Sequence, residues 1–384
     1  MDETLGEEGA GQIGPTHLNR IVTSLRSGWP VVLSTALAIA FLLWRLAGKG
    51  WDPRAIAELG TEYSAADPSG SEGYDGQFAY YMALDLRPAA VAPRLDVPAY
   101  RYQRILYPLL AHLLALGKAA WVPWTLILVN LVAHAAGTAF VLAYLRAHGR
   151  ASRYALIYGL WVGLVLGIGA DLYEPLAYAL VAGGMLALSK GRMALGAAAI
   201  SSALFAKETT LPFWGAMLAA GFLVQGMKRT RAATWIGGAL FAAWQLWLWV
   251  TFGQIGIASG GALATPFEWI PYMGFLRLAS VGLPVFAAYF LVFGPSVVLP
   301  SLWGAAVSLR ALLSSPPPKM EALALLLNCL FLAVLPFSTY REPLGIVRVA
   351  TGFVLAVVHF SAARGMLRPL NYGMFWIAFL AFIL

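Results

Sequence analysis

Long apolar runs separated by short basic connections repeat along most of the 384 residues. A transmembrane helix needs about 20 predominantly apolar residues to cross a hydrocarbon core of about 30 Å. The first such run is residues 30–48. Ten further runs lie at residues 105–145, 154–170, 172–189, 193–206, 209–226, 232–252, 283–309, 320–337, 344–363 and 370–384. The pattern predicts an all-α, polytopic integral membrane protein with about eleven transmembrane helices, within a range of about ten to twelve.

The composition points to the same class of protein. The chain is 60% hydrophobic and 11% charged, with a mean hydropathy of +0.72, which excludes a soluble or a disordered protein. Its one cysteine, Cys329, lies inside an apolar run, which excludes a disulfide scaffold and thiol redox chemistry. The net charge is +8, but the basic residues cluster between apolar runs. Such clusters orient membrane helices, so we interpret the charge as a topology signal and expect no nucleic-acid partner.

A polar segment, residues 49–104, interrupts the apolar pattern after the first run. Residues 67–73 within it read Asp-Pro-Ser-Gly-Ser-Glu-Gly, a series of turn formers. Irregular polar backbone is not tolerated in lipid, so the segment is predicted to be a structured loop outside the membrane. The chain then consists of a tail (residues 1–29), a first transmembrane helix (30–48), this first loop (49–104) and a multi-span domain (105–384).

The basic connections all fall on one side of the membrane if residues 105–145 cross it once, with residues 105–117 forming a helix at the outer surface. Connections rich in Lys and Arg face the cytoplasm. The N-terminus is therefore predicted to be cytoplasmic, and its four acidic residues argue against a cleavable signal peptide. With this topology 13 of the 18 acidic residues face outward. We expect any chemistry to be extracytoplasmic.

Asp75 is the first candidate for that chemistry. It stands in the string Tyr74-Asp75-Gly76-Gln77-Phe78, after a turn and before a helix-like run. In one interpretation its carboxylate caps this helix by accepting the backbone N–H of Gln77 or Phe78. In the other it is a catalytic carboxylate. The two roles are compatible, because a capping carboxylate is held rigidly and keeps a lone pair free.

Two arginines follow in the same loop, within the string Tyr100-Arg101-Tyr102-Gln103-Arg104. At a spacing of three, Arg101 and Arg104 would share one face of a helix and could grip one anionic group. Alternatively they anchor the loop at the membrane interface, where arginine and tyrosine side chains are common. Either interpretation makes a phosphate group the partner.

Lys207 and Glu208 interrupt the apolar residues between positions 193 and 226. The run before them, residues 193–206, spans about 21 Å at 1.5 Å per residue, which is too short to cross the core. We therefore expect both side chains below the outer surface, where an ionisable residue is by default a functional hypothesis. The alternative is a local salt bridge between Lys207 and Glu208 that closes a tight helical hairpin.

Weaker candidates lie in two other outer connections. Asp171 and Glu174 are three apart and precede Pro175, so we interpret them first as helix caps. Arg341 belongs to an Arg-Glu-Pro turn and is either solvated or a further phosphate contact. The chain has no zinc-ligand spacing, no phosphate-cradling glycine loop and no Gly-x-Ser-x-Gly motif, which disfavours zinc protease, ATPase and serine hydrolase functions.

One transmembrane helix, a long acidic outer loop and many further spans form the layout of the GT-C superfamily, the polytopic glycosyltransferases that use lipid-phosphate sugar donors. The strings Tyr-Asp-Gly-Gln-Phe-x-Tyr-Tyr (residues 74–81) and Tyr-Arg-Tyr-Gln-Arg-Ile-Leu-Tyr-Pro-Leu-Leu (residues 100–110) also resemble those of a bacterial family of membrane proteins linked to cell-surface glycopolymer formation. The similarity is close over residues 72–115 and looser at Glu174 and Lys207.

The resemblance implies a GT-C-like fold in the bacterial plasma membrane. It implies inverting transfer of a sugar from a polyprenyl-phosphate donor to a glycan or lipid acceptor of the cell envelope. The catalytic residues that it implies are Asp75, as base, and Glu208, as an orienting group or replacement base. The substrate-binding residues are Tyr74, Gln77, Arg101, Arg104, Asp171, Glu174, Lys207 and Arg341.

Two questions stay open at this point. In the superfamily the acid of the first loop is a proposed base or metal ligand, but this loop has no Asp-Asp, Asp-Glu or Asp-x-Asp pair, so no cofactor is required and a divalent metal stays an alternative. The competing functions are a multi-pass transporter or flippase of lipid-linked glycans and a non-catalytic assembly subunit. We find no internal repeat of the kind that many transporters carry.

Overall fold

The computed structural model describes residues 17–223, 228–314 and 320–383. Within these ranges every regular element is helical and no β-strand occurs, so the predicted all-α class is confirmed. Residues 1–16 of the predicted cytoplasmic tail lie outside the described ranges.

Fifteen α-helices in the described ranges have seven residues or more. They are α1 (His17–Gly48), α2 (Gly76–Leu84), α3 (Leu106–Leu114), α4 (Val122–Ala147), α5 (Val162–Gly169), α6 (Glu174–Ser189), α7 (Met193–Ala206), α8 (Leu211–Leu223), α9 (Lys228–Phe252), α10 (Leu283–Phe293), α11 (Leu299–Leu313), α12 (Met320–Ala333), α13 (Pro343–Val349), α14 (Thr351–Arg364) and α15 (Leu367–Gly373). Shorter α-helical segments are Thr61–Ser64, Pro88–Val91, Pro98–Tyr102, Leu156–Gly159, Met273–Leu276 and Phe337–Arg341. The 3-10 helices are Pro53–Ala57, Ala92–Arg94, Ala119–Trp121, Ser152–Ala155, Glu208–Thr210, Gly256–Ala258, Arg277–Ser280 and Met374–Phe382, and a π-helical turn is Gly294–Val298.

Among the described residues, five helical segments are long and apolar enough to cross a membrane. They are Gly28–Gly48, Ala119–Ala147, Thr230–Phe252, Leu283–Leu313 and Pro343–Arg364. A sixth span results if Ser152–Gly159 and Val162–Gly169, which meet at a bend of 51°, count as one. These helices support the membrane character that the sequence predicts, whereas the total of about eleven spans stays a prediction.

Two of the remaining predicted spans contain helices that are too short to cross the hydrocarbon core. The run at 193–206 forms α7, with 14 residues, and the run at 209–226 contains α8, with 13 described residues. At 1.5 Å per residue each rises about 20 Å, less than the hydrocarbon thickness of about 30 Å. Helix α7 ends at Ala206 and α8 begins at Leu211, so Lys207 and Glu208 stand in the break between two short helices.

Residues 105–145 contain one long helix, as the charge pattern predicts. The nine-residue helix α3 ends at Leu114, and the chain turns through Leu116 and Gly117, whose φ angles are +50° and +76°. The span Ala119–Ala147 follows. The expected short helix followed by one long helix is therefore present, and the single crossing of the membrane stays a prediction.

Helix α6 lies inside the bundle, packed against α4 and α7. Most of its residues are buried, beginning with Glu174, and α14 is buried along most of its length as well. Helices α1, α9 and α10 instead expose large apolar side chains, for example Trp44, Leu240 and Leu291. Such surfaces suit lipid contact, because lipid tails are as apolar as a protein core. The site described next lies at the N-terminal end of the buried helix α6.

The first loop folds against the bundle. Helix α2 packs on α3 and α4 and buries Phe78 and Met82. Gly76 lies against the carbonyl oxygen of Ala170, and a Cβ atom at this position would collide with that oxygen. Gly73 has a φ of +72°, a conformation that other residues rarely adopt. Asp75 lies between these two glycines. Their close packing and backbone conformation let the loop place Asp75 near the start of α6.

Candidate functional site

A cavity of about 700 Å³ lies between the first loop, the break between α7 and α8, residues 261–264 and the start of α13. Its wall carries an unusual number of charged side chains for a protein with 11% charged residues. They are Glu62, Glu72, Asp75, Asp96, Arg101, Arg104, Lys207, Glu208, Arg341, Glu342 and Arg348. The structure thus brings together residues that are up to 286 positions apart in the chain, from Glu62 to Arg348.

Asp75 does not cap helix α2, so the capping interpretation is wrong for its side chain. No backbone N–H of α2 donates to the carboxylate, and the Phe78 N–H donates to the backbone carbonyl of Asp75 at 3.3 Å. The carboxylate instead accepts from two arginines. Arg101 Nη1 donates to Oδ1 at 2.9 Å and Arg348 Nη2 donates to Oδ2 at 2.7 Å.

These two guanidinium groups decide the protonation state of Asp75. Burial favours the neutral acid and by itself would raise the pKa, but the positive charges of Arg101 and Arg348 outweigh burial and hold the pKa of Asp75 well below its usual range. The side chain is 26% exposed and faces the cavity. Asp75 is therefore an ionised carboxylate held between two cations at a wall that a ligand can reach.

Arg101 is fixed by a second carboxylate. Its Nε and Nη2 donate to the two oxygens of Asp96, each at 2.7 Å, in the forked geometry that Arg and carboxylate groups prefer. Its guanidinium also lies over the ring of Phe78, 4.1 Å from the ring centre. Arg101 therefore has an ion-pair partner and a ring contact besides the catalytic candidate Asp75.

Arg348 is a site residue that the sequence analysis missed. It lies in α13, with its side chain 6% exposed, and its Nε donates to Glu174 at 2.7 Å while its Nη1 donates to the hydroxyl of Tyr74 at 3.0 Å. The signal for it was present, because an arginine five residues into the apolar run 344–363 is an ionisable residue at membrane depth. The sequence analysis predicts only a transmembrane span for this run.

Lys207 and Glu174 form a buried ion pair, with Lys207 Nζ donating to Glu174 at 2.5 Å. Their side chains are 3% and 0% exposed. Glu174 is therefore not a helix cap, because its carboxylate accepts from Lys207 and Arg348. The predicted local salt bridge between Lys207 and Glu208 is also wrong. Lys207 has extended backbone (φ −161°, ψ 129°), and successive side chains of an extended chain point in opposite directions.

Glu208 pairs with Arg104 across the cavity wall. Arg104 Nε and Nη2 donate to its two carboxylate oxygens at 2.8 and 2.5 Å. Arg104 also donates to the Tyr100 hydroxyl and lies over the Tyr100 ring, 4.2 Å from its centre. Arg101 and Arg104 thus both line the cavity, but they bind different carboxylates. Arg101 binds Asp75 and Asp96, and Arg104 binds Glu208. The short helix Pro98–Tyr102 ends between the two arginines, so they do not form a regular helical pair.

The other predicted residues divide between the cavity and its surroundings. The Tyr74 hydroxyl donates to Glu342 at 3.0 Å, and the Gln77 amide braces the loop by accepting from Gly60 N and donating to the Glu72 carbonyl. Arg341 lines the cavity and, within the part of the chain that the structure describes, forms no ion pair.

Asp171 does not line the cavity. It is fully buried, and the Tyr107 hydroxyl donates to it at 3.4 Å. Its backbone is left-handed, with a φ of +48°, in the turn between α5 and α6. The side chain makes no cap bond to α6, so the capping interpretation of Asp171 is wrong, while its role in substrate binding stays a prediction. Its turn sets the start of α6, and with it the position of Glu174.

Four cations and four carboxylates cancel inside this network. The cations are Arg101, Arg104, Lys207 and Arg348, and the carboxylates are Asp75, Asp96, Glu174 and Glu208. No group of three or more potential metal-ligating side chains occurs in the described ranges. Each carboxylate is already neutralised by a guanidinium or an ammonium group, which would repel a divalent cation. The donor set around Asp75 therefore does not fit a metal.

The structure also has an apolar groove of about 420 Å³. Leu204 and Leu211 line the groove, while Lys207 and Glu208, between them in the chain, line the cavity. The stretch around the break between α7 and α8 therefore contributes apolar residues to the groove and charged residues to the cavity.

Comparison with known protein families, with characterised proteins and with solved structures gives no match for this chain. The GT-C assignment, made from the layout of the spans and the first loop, consequently stays a prediction. A function has to be inferred from the residues of the cavity, their geometry and the apolar groove.

Proposed function

We propose that the chain is a membrane glycosyltransferase. It would transfer a sugar from a polyprenyl-phosphate donor to a glycan or lipid acceptor at the extracytoplasmic face of a bacterial plasma membrane, in cell-surface glycopolymer formation. The observation that carries the proposal is the position of Asp75, between Arg101 and Arg348 on the wall of a cavity. A GT-C-like layout with about eleven spans is part of the same proposal.

The cations of the cavity suit a phosphate group. A guanidinium presents several N–H donors in a fixed fork that matches phosphate oxygens, and in a site shielded from water such bonds are stronger than in bulk solvent. Arg101 and Arg348 are each held by a further carboxylate, Asp96 and Glu174. Two arginines whose geometry is fixed in advance can bind a phosphate without first ordering their own side chains.

The groove suits the lipid portion of such a donor. Its lining is almost entirely apolar, including Leu204, Leu211, Phe241 and Trp249. A polyprenyl chain attached to a phosphate in the cavity would need an apolar surface, and Leu204 and Leu211 of the groove flank Lys207 and Glu208 of the cavity in the chain. A soluble phosphorylated substrate would have no use for this surface.

The proposed reaction is a single inverting displacement. The acceptor hydroxyl oxygen forms a bond to the anomeric carbon as the bond from that carbon to the phosphate oxygen breaks. The electron pair leaves with the phosphate, which departs as polyprenyl phosphate and is stabilised by the arginines. Asp75 takes the proton of the acceptor hydroxyl, as a general base. No metal is needed to balance these steps.

The test is turnover by the purified protein in lipid nanodiscs. A panel of polyprenyl-phosphate sugars, radiolabelled in the sugar, is supplied with candidate glycan and lipid acceptors, and the release of polyprenyl phosphate is measured together with labelled product. Asp75→Asn should lower the rate by about 10²- to 10⁴-fold, the range for removal of a general base.

Asp85→Asn is the matched control. Asp85 lies in the same loop and pairs only with the exposed Arg87, so this variant should turn over at the wild-type rate. Wild type that forms no product from any donor of the panel, or an Asp75→Asn variant as fast as Asp85→Asn, would reject the proposal. Movement of the labelled lipid across the bilayer without product would assign the transporter function instead.

A further inference from the structure

Asp75 is the most accessible carboxylate of the cavity network. Its side chain is 26% exposed, compared with 17% for Glu208, 6% for Asp96 and 0% for Glu174. A ligand that enters the cavity therefore meets Asp75 before it meets the carboxylates behind it.

Asp75 is also held by fewer bonds than Asp96. Asp96 accepts two bonds from Arg101 and one each from the backbone N–H groups of Val97, at 2.7 Å, and Ala262, at 3.2 Å. Asp75 accepts one bond from each of two arginines and none from the backbone of α2. Rotation of one side chain is enough to release it.

Its release leaves no cation unpaired. Arg101 keeps both oxygens of Asp96, and Arg348 keeps Glu174. The equivalent loss of Glu208 would leave Arg104 without a carboxylate. Because an unpaired charge at this depth is strongly unfavourable, Asp75 is the carboxylate that the network gives up at the lowest free-energy cost.

Binding at the position of Asp75 is favourable for an incoming anion. The four cations and four carboxylates cancel, so the ligand-free cavity has no net positive charge to attract a phosphate. Arg341 is exposed and offers a phosphate a single guanidinium, whereas on the buried arginines a phosphate gains charge-assisted bonds only by replacing a carboxylate. Between Arg101 and Arg348 it would find two donors already aimed at one anion.

We infer that Asp75 occupies an anion subsite in the ligand-free protein, and that the phosphate group of the substrate binds Arg101 and Arg348 by displacing it. The inference rests on the proposed function for the identity of the ligand as a phosphate ester. It adds a regulatory consequence. The carboxylate that serves as base is held by the arginines until a donor arrives and is released by it.

This displacement makes Asp75 a better base. Between the arginines its pKa lies well below the usual range, despite burial, and so weak a base accepts protons poorly. After displacement the guanidinium charges are compensated by the phosphate, and a negative charge lies close to the carboxylate. Both changes raise the pKa of Asp75. The base is then active only in a cavity that already holds the donor.

The test is binding, which does not depend on turnover. Geranyl phosphate and inorganic phosphate are titrated by calorimetry into the purified protein in detergent, at fixed ionic strength. Asp75→Asn should bind geranyl phosphate about tenfold more tightly than wild type, because the competing charge-assisted bonds are removed. Tighter binding of geranyl phosphate than of inorganic phosphate assigns the subsite to a lipid head group, and equal binding assigns it to free phosphate.

Two controls separate displacement from a general change of charge. Glu72→Gln and Glu62→Gln also remove one negative charge from the cavity wall, but in the described part of the chain neither carboxylate forms an ion pair with Arg101 or Arg348. Each should tighten binding by less than about twofold. An equal gain in all three variants, or no gain in Asp75→Asn, would overturn the inference.

A second substitution at the same position, Asp75→Glu, keeps the inference testable if Asp75→Asn does not fold. Asp75→Glu keeps the carboxylate and should bind geranyl phosphate as wild type does, whereas equal tightening in Asp75→Glu would contradict displacement. The outcomes also separate the two proposals. Tighter binding by Asp75→Asn together with absent turnover in wild type would keep the anion subsite and reject the glycosyltransferase.

Discussion

The first loop contains two kinds of Asp–Arg pair with nearly identical bond lengths. Asp85 and Arg87 are two residues apart and meet at 2.7 Å, with the arginine 81% exposed. Asp75 meets Arg101 at 2.9 Å and Arg348 at 2.7 Å, across 26 and 273 positions of the chain, and both arginines are 6% exposed. Bond length therefore does not distinguish the two kinds of Asp–Arg pair. They differ in the burial of the arginine and in the separation of the partners along the chain.

This difference has a physical consequence for function. An exposed pair is solvated and screened by salt, so it contributes little and its loss is tolerated. A buried charge is retained only where other charges compensate it, and removal of one partner leaves a charge that water cannot reach. The buried pairs around Asp75 thus cost free energy to assemble, which favours a role in ligand binding over one in stability alone.

The largest expected effect is the loss of Arg348. Arg348→Met leaves Asp75 and Glu174 with one cation each and should lower the free energy of unfolding by about 3–5 kcal/mol, measured by SDS titration in mixed micelles. Arg87→Met, in the exposed pair, should unfold with wild-type behaviour. Equal destabilisation of the two variants would abolish the distinction between the two kinds of pair.

An intermediate effect should identify the partner of Lys207. A double-mutant cycle of Lys207→Met with Glu174→Gln should give a coupling free energy of about 1–3 kcal/mol, because the two groups are in direct contact. The same cycle of Lys207→Met with Glu208→Gln should give a coupling near zero. A larger coupling for the second cycle would restore the local salt bridge that the sequence suggests.

The smallest effect should be seen only in acid. Because the folded-state pKa of Asp75 lies below its ordinary value of 3.8, the stabilisation from its charge is complete above that value and is lost as the pH falls through the folded pKa. The difference in unfolding free energy between wild type and Asp75→Asn should therefore be constant from about pH 8 to about pH 5 and shrink below about pH 4. A change in this difference near neutral pH would show that the arginines do not hold Asp75.

The sequence predicted the all-α class, the first apolar helix and eight of the residues that line the cavity. Asp75, Arg101 and Lys207 could be nominated because charged residues are rare in this chain and stand out against apolar runs. Composition and local spacing carry that information. The long apolar runs likewise predict helices without knowledge of their packing.

The pairing could not be predicted in the same way. Lys207 pairs with Glu174 across 33 positions, and Asp75 with Arg348 across 273. Such contacts depend on how the helices pack, which one sequence does not reveal. Pairing between neighbours in the chain suggested Glu208 as a partner of Lys207, which is wrong. Arg348 has no charged neighbour within its apolar run, so the same rule predicted no role for it.

The most direct test of the central claim is retention of polyprenyl phosphate by the purified protein, measured by native mass spectrometry after addition of the lipid. Arg348→Gln, purified as a monodisperse protein, is compared with Arg54→Gln, which alters an exposed pair of the first loop. We predict one bound lipid phosphate on wild type and on Arg54→Gln, and loss of this species from Arg348→Gln. Equal retention by both variants would contradict a phosphate site built on the buried arginines.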